Sequence, residues 1–191
     1  GVEPQGARVL IVGAGGVGCA IAASFAAAGV AGLSLFDVRA AAAEGLAARL
    51  REHHPRLDLR TGSNDPADHD IVVNATPLGM EPGDPLPLDV DRLSPDTFVG
   101  EVVMRETMTA FLRAAQQRGC RFQVGSDMLF EQIPAYLEFF GLPSTTPEVL
   151  RRVARLDPPL PPGLQTEVSG ASAAPGAAAS ARPLALEETA A

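Results

Sequence analysis

Four apolar residues, Val9-Leu10-Ile11-Val12, run directly into Gly13-Ala14-Gly15-Gly16-Val17-Gly18, and nineteen residues beyond Gly18 stands Asp37. A buried strand, a G-x-G-x-x-G turn and an alanine-rich helix in that order form the turn that holds a dinucleotide. Each glycine answers a separate steric demand. Gly13 permits the tight turn, Gly15 lets backbone approach a pyrophosphate, and Gly18 lets the helix pack closely on the strand. The opening N–H groups of that helix have no partner within it and are free to hold the phosphates. An acid ending the next strand, here Asp37, accepts the hydroxyls of the adenosine ribose. These seven residues are the first cofactor-binding candidates.

The rest of the chain alternates in the way this opening demands. Strands are expected at 8–12, 33–37, 57–60, 71–74, 98–103 and 121–124, short, apolar and rich in β-branched residues as buried parallel strands are. Helices are expected at 16–28, 40–53, 109–118 and 126–140, with Ser126 as an N-cap and Gly141 as a stop. Thr146-Pro147 reads as the cap and first turn of a closing helix to Leu156. Pro134 interrupts the fourth helix, so a kink around 130–133 and a second segment opening at Pro134 are expected. Six strands interleaved with helices make a doubly wound parallel α/β sheet of the Rossmann kind, spanning residues 1–156. Residues 157–191 hold six prolines, ten alanines and no aromatic residue. Such a stretch buries too little apolar surface to offset its ordering entropy, and it is expected to be a disordered tail.

Composition excludes several function classes. The net charge of −8 argues against nucleic acid and acidic membrane surfaces as partners. No apolar run approaches the ~20 residues of a membrane span, and the N-terminus lacks the pattern of a secretion signal, so a cytoplasmic protein is expected. Cys19 and Cys120 read as small buried residues in a reducing compartment. His53, His54 and His69 read as solvated surface, and their spacing makes no metal site. All fifteen basic residues are arginine, and there is no lysine.

Two further motifs follow the glycine turn: Asn74-Ala75-Thr76-Pro77-Leu78-Gly79-Met80 after the fourth strand, and Gly125-Ser126-Asp127-Met128-Leu129-Phe130-Glu131-Gln132 after the sixth. Alone, the first reads equally as a proline- and glycine-stabilised turn, and the second as a helix start with a core methionine. In this order and spacing the three segments resemble the C-terminal half of the shikimate/quinate dehydrogenase family, over roughly residues 2–142. That family carries Gly-Ala-Gly-Gly-x-Gly, Asn-Ala-Thr-x-x-Gly-Met and Gly-x-x-Met-Leu-x-x-Gln. The resemblance implies that Gly13 to Gly18 hold the pyrophosphate, while Asn74, Ala75 and Thr76, with Pro77 beside them, lie along the ribose and nicotinamide. It implies that Gly125 and Met128 border the nicotinamide and that Gln132 binds a hydroxyl of a cyclic polyol. The implied reaction is hydride transfer between a nicotinamide dinucleotide and a ring hydroxyl of a shikimate-like substrate. A homodimer is an open assembly.

Departures from the family pattern sharpen the expectation. Where the family has Asp-x-x-Tyr-Asn-Pro, this chain has Glu101-Val102-Val103-Met104-Arg105-Glu106, so Met104 stands where a tyrosine would meet the substrate while still bordering the cofactor. Family members carry an N-terminal substrate domain with a Lys/Asp pair for the acid–base work, so no catalytic residue is expected in this chain. The NADP-using members show Asn-Arg-Thr after the second strand; here the triplet is Asp37-Val38-Arg39. A fixed carboxylate repels a 2′-phosphate, with Arg39 as a partial compensator, so NAD is expected over NADP. A non-catalytic dinucleotide-binding module is the alternative.

Overall fold

The computed structural model describes residues 2–104 and 108–154. Six strands form one all-parallel sheet: β1 (Arg8–Val12), β2 (Gly32–Phe36), β3 (Asp58–Thr61), β4 (Ile71–Asn74), β5 (Phe98–Glu101) and β6 (Arg121–Gln123). Their spatial order is β3-β2-β1-β4-β5-β6, the doubly wound order expected from the sequence. Among the described residues there are five α-helices: α1 (Gly16–Ala27), α2 (Ala40–His53), α3 (Ala110–Gln117), α4 (Gly125–Phe139) and α5 (Pro147–Ala154), the last packed on α4.

Both faces of the sheet are covered, and alternate strand residues feed each side. Val9, Ile11, Leu33, Leu35, Ile71 and Val73 pack under the α1 residues Ala22 and Ala26 and the α2 residues Leu46, Ala47 and Leu50. Leu10, Val12, Val72 and Val99 pack on the opposite side under Phe111, Leu112 and Ala115 of α3. Strands buried on both faces read as unbroken apolar runs, which is why β1 and β4 were visible in the sequence.

Register then places the site. Val12 pairs with Phe36 of β2 and with Asn74 of β4, and Asn74 pairs with Glu101 of β5. The strands therefore end in one row, and the glycine turn, Asp37, the Ala75-Thr76 loop and the Val102–Met104 segment all leave the same edge. Because β2 and β4 flank β1 on opposite sides, the crevice lies at the switch point of the winding, where ligands of open α/β sheets bind.

Local departures from expectation have physical causes. Ser126 does not cap α4. The helix opens one residue earlier with Val124 as its N-cap, and no side chain caps it. Its start is fixed by backbone packing instead, since a Cβ on Gly125 would overlap the carbonyl of Val103. The break expected at Pro134 is absent: α4 runs through it as one helix rather than two segments. Its neighbour α5 packs along the first two turns, where Arg151 donates to Asp127 at 3.2 Å and Glu131 at 2.8 Å. Gly141 does end the helix, at φ +66°, and Thr146 accepts from the Val149 N–H as a cap for α5. Strand β5 stops at Glu101, two residues short of the expected span, leaving Val102 and Val103 to pack against Gly125. The tail from 157 to 191, Arg105, Glu106 and the last expected turn of the closing helix lie outside the described residues.

Candidate functional site

The glycine turn sorts its glycines by what surrounds them. Gly13 sits at φ +107°, a conformation that favours glycine, and a Cβ there would lie 2.7 Å from the Ala75 backbone. A Cβ on Gly18 would overlap the Gly13 carbonyl oxygen. These two are required by the protein itself. Around Gly15 and Gly16, by contrast, a Cβ would meet nothing within 4 Å, so their smallness leaves open space at the start of α1. A cavity of about 480 Å³ occupies that space, walled by Gly13, Gly15 to Val17, the Phe36–Arg39 segment and Ala75 to Leu78. Its size lies within the range of small-molecule sites. The residues therefore fit a dinucleotide: an open backbone cradle at a helix N-terminus, with an acid at its side.

Asp37 forms that side wall, with its side chain only one-tenth exposed. One carboxylate oxygen accepts the Ala14 N–H at 2.9 Å and the other accepts the Arg39 N–H at 2.9 Å. These two backbone bonds, Ala14 first, hold its carboxyl below the usual carboxylate range. The Arg39 side chain is 74% exposed, approaches the same carboxylate at 3.5 Å and lines the cavity.

Across the crevice, Asn74 is fully buried and its amide is spent on the loop that follows it. Its Nδ2 donates to the Leu78 carbonyl at 3.0 Å, and its Oδ1 accepts from the Thr76 N–H and hydroxyl. Thr76 Oγ1 in turn accepts the Leu78 N–H. The result is a rigid knot that presents Ala75, Thr76 and Pro77 to the cavity while Asn74 stays behind it. Gly79, at φ +103°, closes the loop against Thr109, and its N–H reaches Asp84 at 2.9 Å.

Glu101, which opens the divergent Glu101–Glu106 segment, is a buried carboxyl at the end of β5. It accepts the Thr109 hydroxyl at 2.8 Å, and Thr109 accepts the Leu112 N–H to cap α3. Burial pushes its carboxyl up to about 7, against the opposing pull of that bond. The sequence signal for it was an acid ending a strand next to the crevice, the same signal that marked Asp37. His69 also departs from expectation. It is half-buried rather than solvated, with Nε2 2.9 Å from Ser34 Oγ and Nδ1 without a partner among the described residues. The loop before β4 brings it against Ser34 of β2. Cys19 is half-buried and Cys120 buried, both as free thiols.

The remaining candidates lie outside the walls of the large cavity. Met104 is 47% exposed just past β5, Gly125 is buried at the base of α4, and Met128 is half-buried one turn on. Gln132 is exposed, and its Oε1 accepts a long 3.4 Å bond from Tyr136. Among the described residues, no group of His, Cys, Asp and Glu could hold a metal ion, and no helix is long and apolar enough to cross a membrane.

Comparison with known proteins accords with this geometry. No family model matches the chain. The shikimate dehydrogenase (NADP(+)) of Rubrobacter xylanophilus is 39% identical over 136 residues, 69% of this chain and 48% of that protein. The structure of quinate dehydrogenase from Corynebacterium glutamicum in complex with NAD is 32% identical with a TM-score of 0.70, covering 79% of this chain and 55% of that one. The ligand-free 5-ketofructose reductase of a Gluconobacter strain is 28% identical with a TM-score of 0.73, covering 81% and 57%. The chain thus spans about half the length of the proteins it matches.

Proposed function

We propose that this chain, which is homologous to the C-terminal half of the shikimate/quinate dehydrogenases, is the NAD-binding domain of a dehydrogenase acting on a shikimate- or quinate-like cyclic polyol. The observation that carries the reading is the crevice itself, where the open cradle of Gly15 and Gly16 meets the fixed carboxylate of Asp37. The amides opening α1 would bind the pyrophosphate. The knotted loop would lay Ala75, Thr76 and Pro77 along the ribose and nicotinamide, with Asn74 holding them in place. Gly125, Met128 and Met104 would border the nicotinamide ring, and Gln132 would bond a substrate hydroxyl. When bound, the nicotinamide supplies the hydride donor or acceptor.

Oxidation of an alcohol also needs a base within hydrogen-bond reach of the hydroxyl. Glu101 is turned into Thr109, so the base would come from a substrate domain beyond this crevice. A polyhydroxylated substrate is supported by both solved relatives, one a quinate dehydrogenase and the other a ketofructose reductase. Met104 adds an apolar contact where tyrosine would offer a hydroxyl, which favours a substrate less polar on that side. The alternative, a non-catalytic dinucleotide binder, draws on the absence of lysine from the sequence.

NAD is the proposed cofactor, because Asp37 is held ionised at the cavity wall and repels a 2′-phosphate. Titrating both cofactors into the purified chain tests this. At least tenfold tighter binding of NAD, or ~1.4 kcal/mol, is expected. Equal or tighter NADP binding would give the choice to Arg39. The chain alone should show no shikimate-dependent reduction of either cofactor, and measurable turnover would place the base within it.

A further inference from the structure

We propose that Asp37 is a positioning residue for the phosphate-binding turn, acting through the Ala14 amide as well as on the ribose. This rests on the dinucleotide reading above and deepens it. The backbone donors of the turn divide into two sets. Gly13 donates to the Phe36 carbonyl at 2.7 Å and Ala14 donates to the Asp37 carboxylate at 2.9 Å. Both bonds tie the floor of the turn to the end of β2. Gly15 opens the next stretch as the N-cap of α1, and Gly16, Val17 and Gly18 are its first helical residues, whose N–H groups have no partner within the helix. The latch therefore decides which amides are spent and which are left for an anion.

The carboxylate is suited to this task in a way its neutral relatives are not. It accepts at both oxygens, Ala14 on one and Arg39 on the other, so it clamps the β1–α1 turn to the β2–α2 turn. An asparagine offers one acceptor oxygen and must turn an N–H₂ toward one of the two backbone donors, breaking half of the clamp. A change meant only to admit a 2′-phosphate would therefore also loosen the grip on the pyrophosphate. Selection by Arg39 carries no such penalty, because its side chain is largely exposed and, among the described residues, pairs with Asp37 alone.

Two measurements on the 191-residue chain test the proposal. The first needs no ligand and no variant: amide hydrogen exchange by NMR. Ala14 should exchange at least tenfold more slowly than Gly15, Gly16 and Val17; equal rates would overturn the latch, whether or not the chain binds a dinucleotide. The second compares NAD with an analogue lacking both hydroxyls of the adenosine ribose, on wild type and Asp37→Asn. A latch weakens the analogue too, by roughly tenfold, and NAD by at least that factor, since NAD also loses the ribose contact. If Asp37→Asn binds the analogue as well as wild type does, Asp37 acts on the ribose alone and the proposal fails. Loss of all dinucleotide binding by the wild type would instead defeat the functional reading and leave the exchange result standing.

Discussion

The two sides of the crevice are built on different principles. On the β1–β2 side, backbone does the work: two glycines are fixed by protein contacts, two others are left open, and Asp37 ties the turn down with paired bonds. On the β5–α4 side, side chains dominate and many face outward. Met104 is half exposed, Gln132 has one long bond, and farther along α4 Tyr136 and Phe139 are 54% and 82% exposed. A site made of backbone is complete once the neighbouring strand ends are in register, here those of β1, β2 and β4. One made of exposed side chains gains its geometry from whatever packs against it. Under the proposed function, cofactor binding would be autonomous in this chain and substrate recognition would be shared with a further surface.

The largest effect expected from breaking this contrast lies at Gly18. Gly18→Ala puts a methyl group into the Gly13 carbonyl, and a loss on the order of 3 kcal/mol is expected in chemical denaturation. If Gly18→Ala were as stable as wild type, the glycine pattern would not be dictated by packing at all.

Next comes pH dependence on the other side. Burial raises the Glu101 carboxyl from 4.5 to about 7, so the folded state keeps a proton that the unfolded chain gives up near 4.5. The stabilisation is full below that lower value and is lost as pH rises to about 7, beyond which it levels off. Glu101→Gln keeps an acceptor for Thr109 without a charge, and should remove this fall from the stability profile. A wild-type profile that rises between pH 4.5 and 7, with Gln unable to alter it, would mean that Glu101 is ionised in the fold.

A smaller and more selective effect is expected at Gln132. Gln132→Ala should leave NAD affinity of this chain unchanged, because the proposed partner of Gln132 is a substrate hydroxyl and its side chain is exposed. In an enzyme that includes the substrate domain it should weaken substrate use by ~1–3 kcal/mol, the range for an unsatisfied polar partner. Altered cofactor affinity with unaltered substrate use would reverse the assignment of the two sides.

Legibility followed the same division. β1, α2 and β4 were read from the sequence to the residue, because apolar runs and alanine-rich periodicity are strictly local signals. The G-x-G-x-x-G spacing and an acid ending the next strand are signals of the same local kind, although the contacts that fix Gly13 and Asp37 come from Ala75 and Ala14. What was not legible depended on distant partners. Ser126 lost its capping role to the packing of Gly125 on Val103, and Pro134 stays within one helix whose neighbour α5 grips Asp127 and Glu131. His69 could be placed against Ser34 only once the loop before β4 was seen to reach β2. Asn74 could be seen behind the loop it stabilises, and Glu101 beneath Thr109, only with hydrogen-bond partners in hand.

The autonomy of the cofactor side can be tested at Gly15, where the protein leaves room and only a ligand would object. Calorimetric titration of NAD into the wild-type chain and into Gly15→Leu, with the thermal midpoint of each measured alongside, is the direct experiment. Saturable one-to-one binding is expected for wild type. The variant should melt at nearly the wild-type temperature and bind no NAD, because its side chain fills the place of the pyrophosphate. Absence of binding by the wild-type chain, or equal binding by Gly15→Leu, would contradict a self-contained dinucleotide site at this turn.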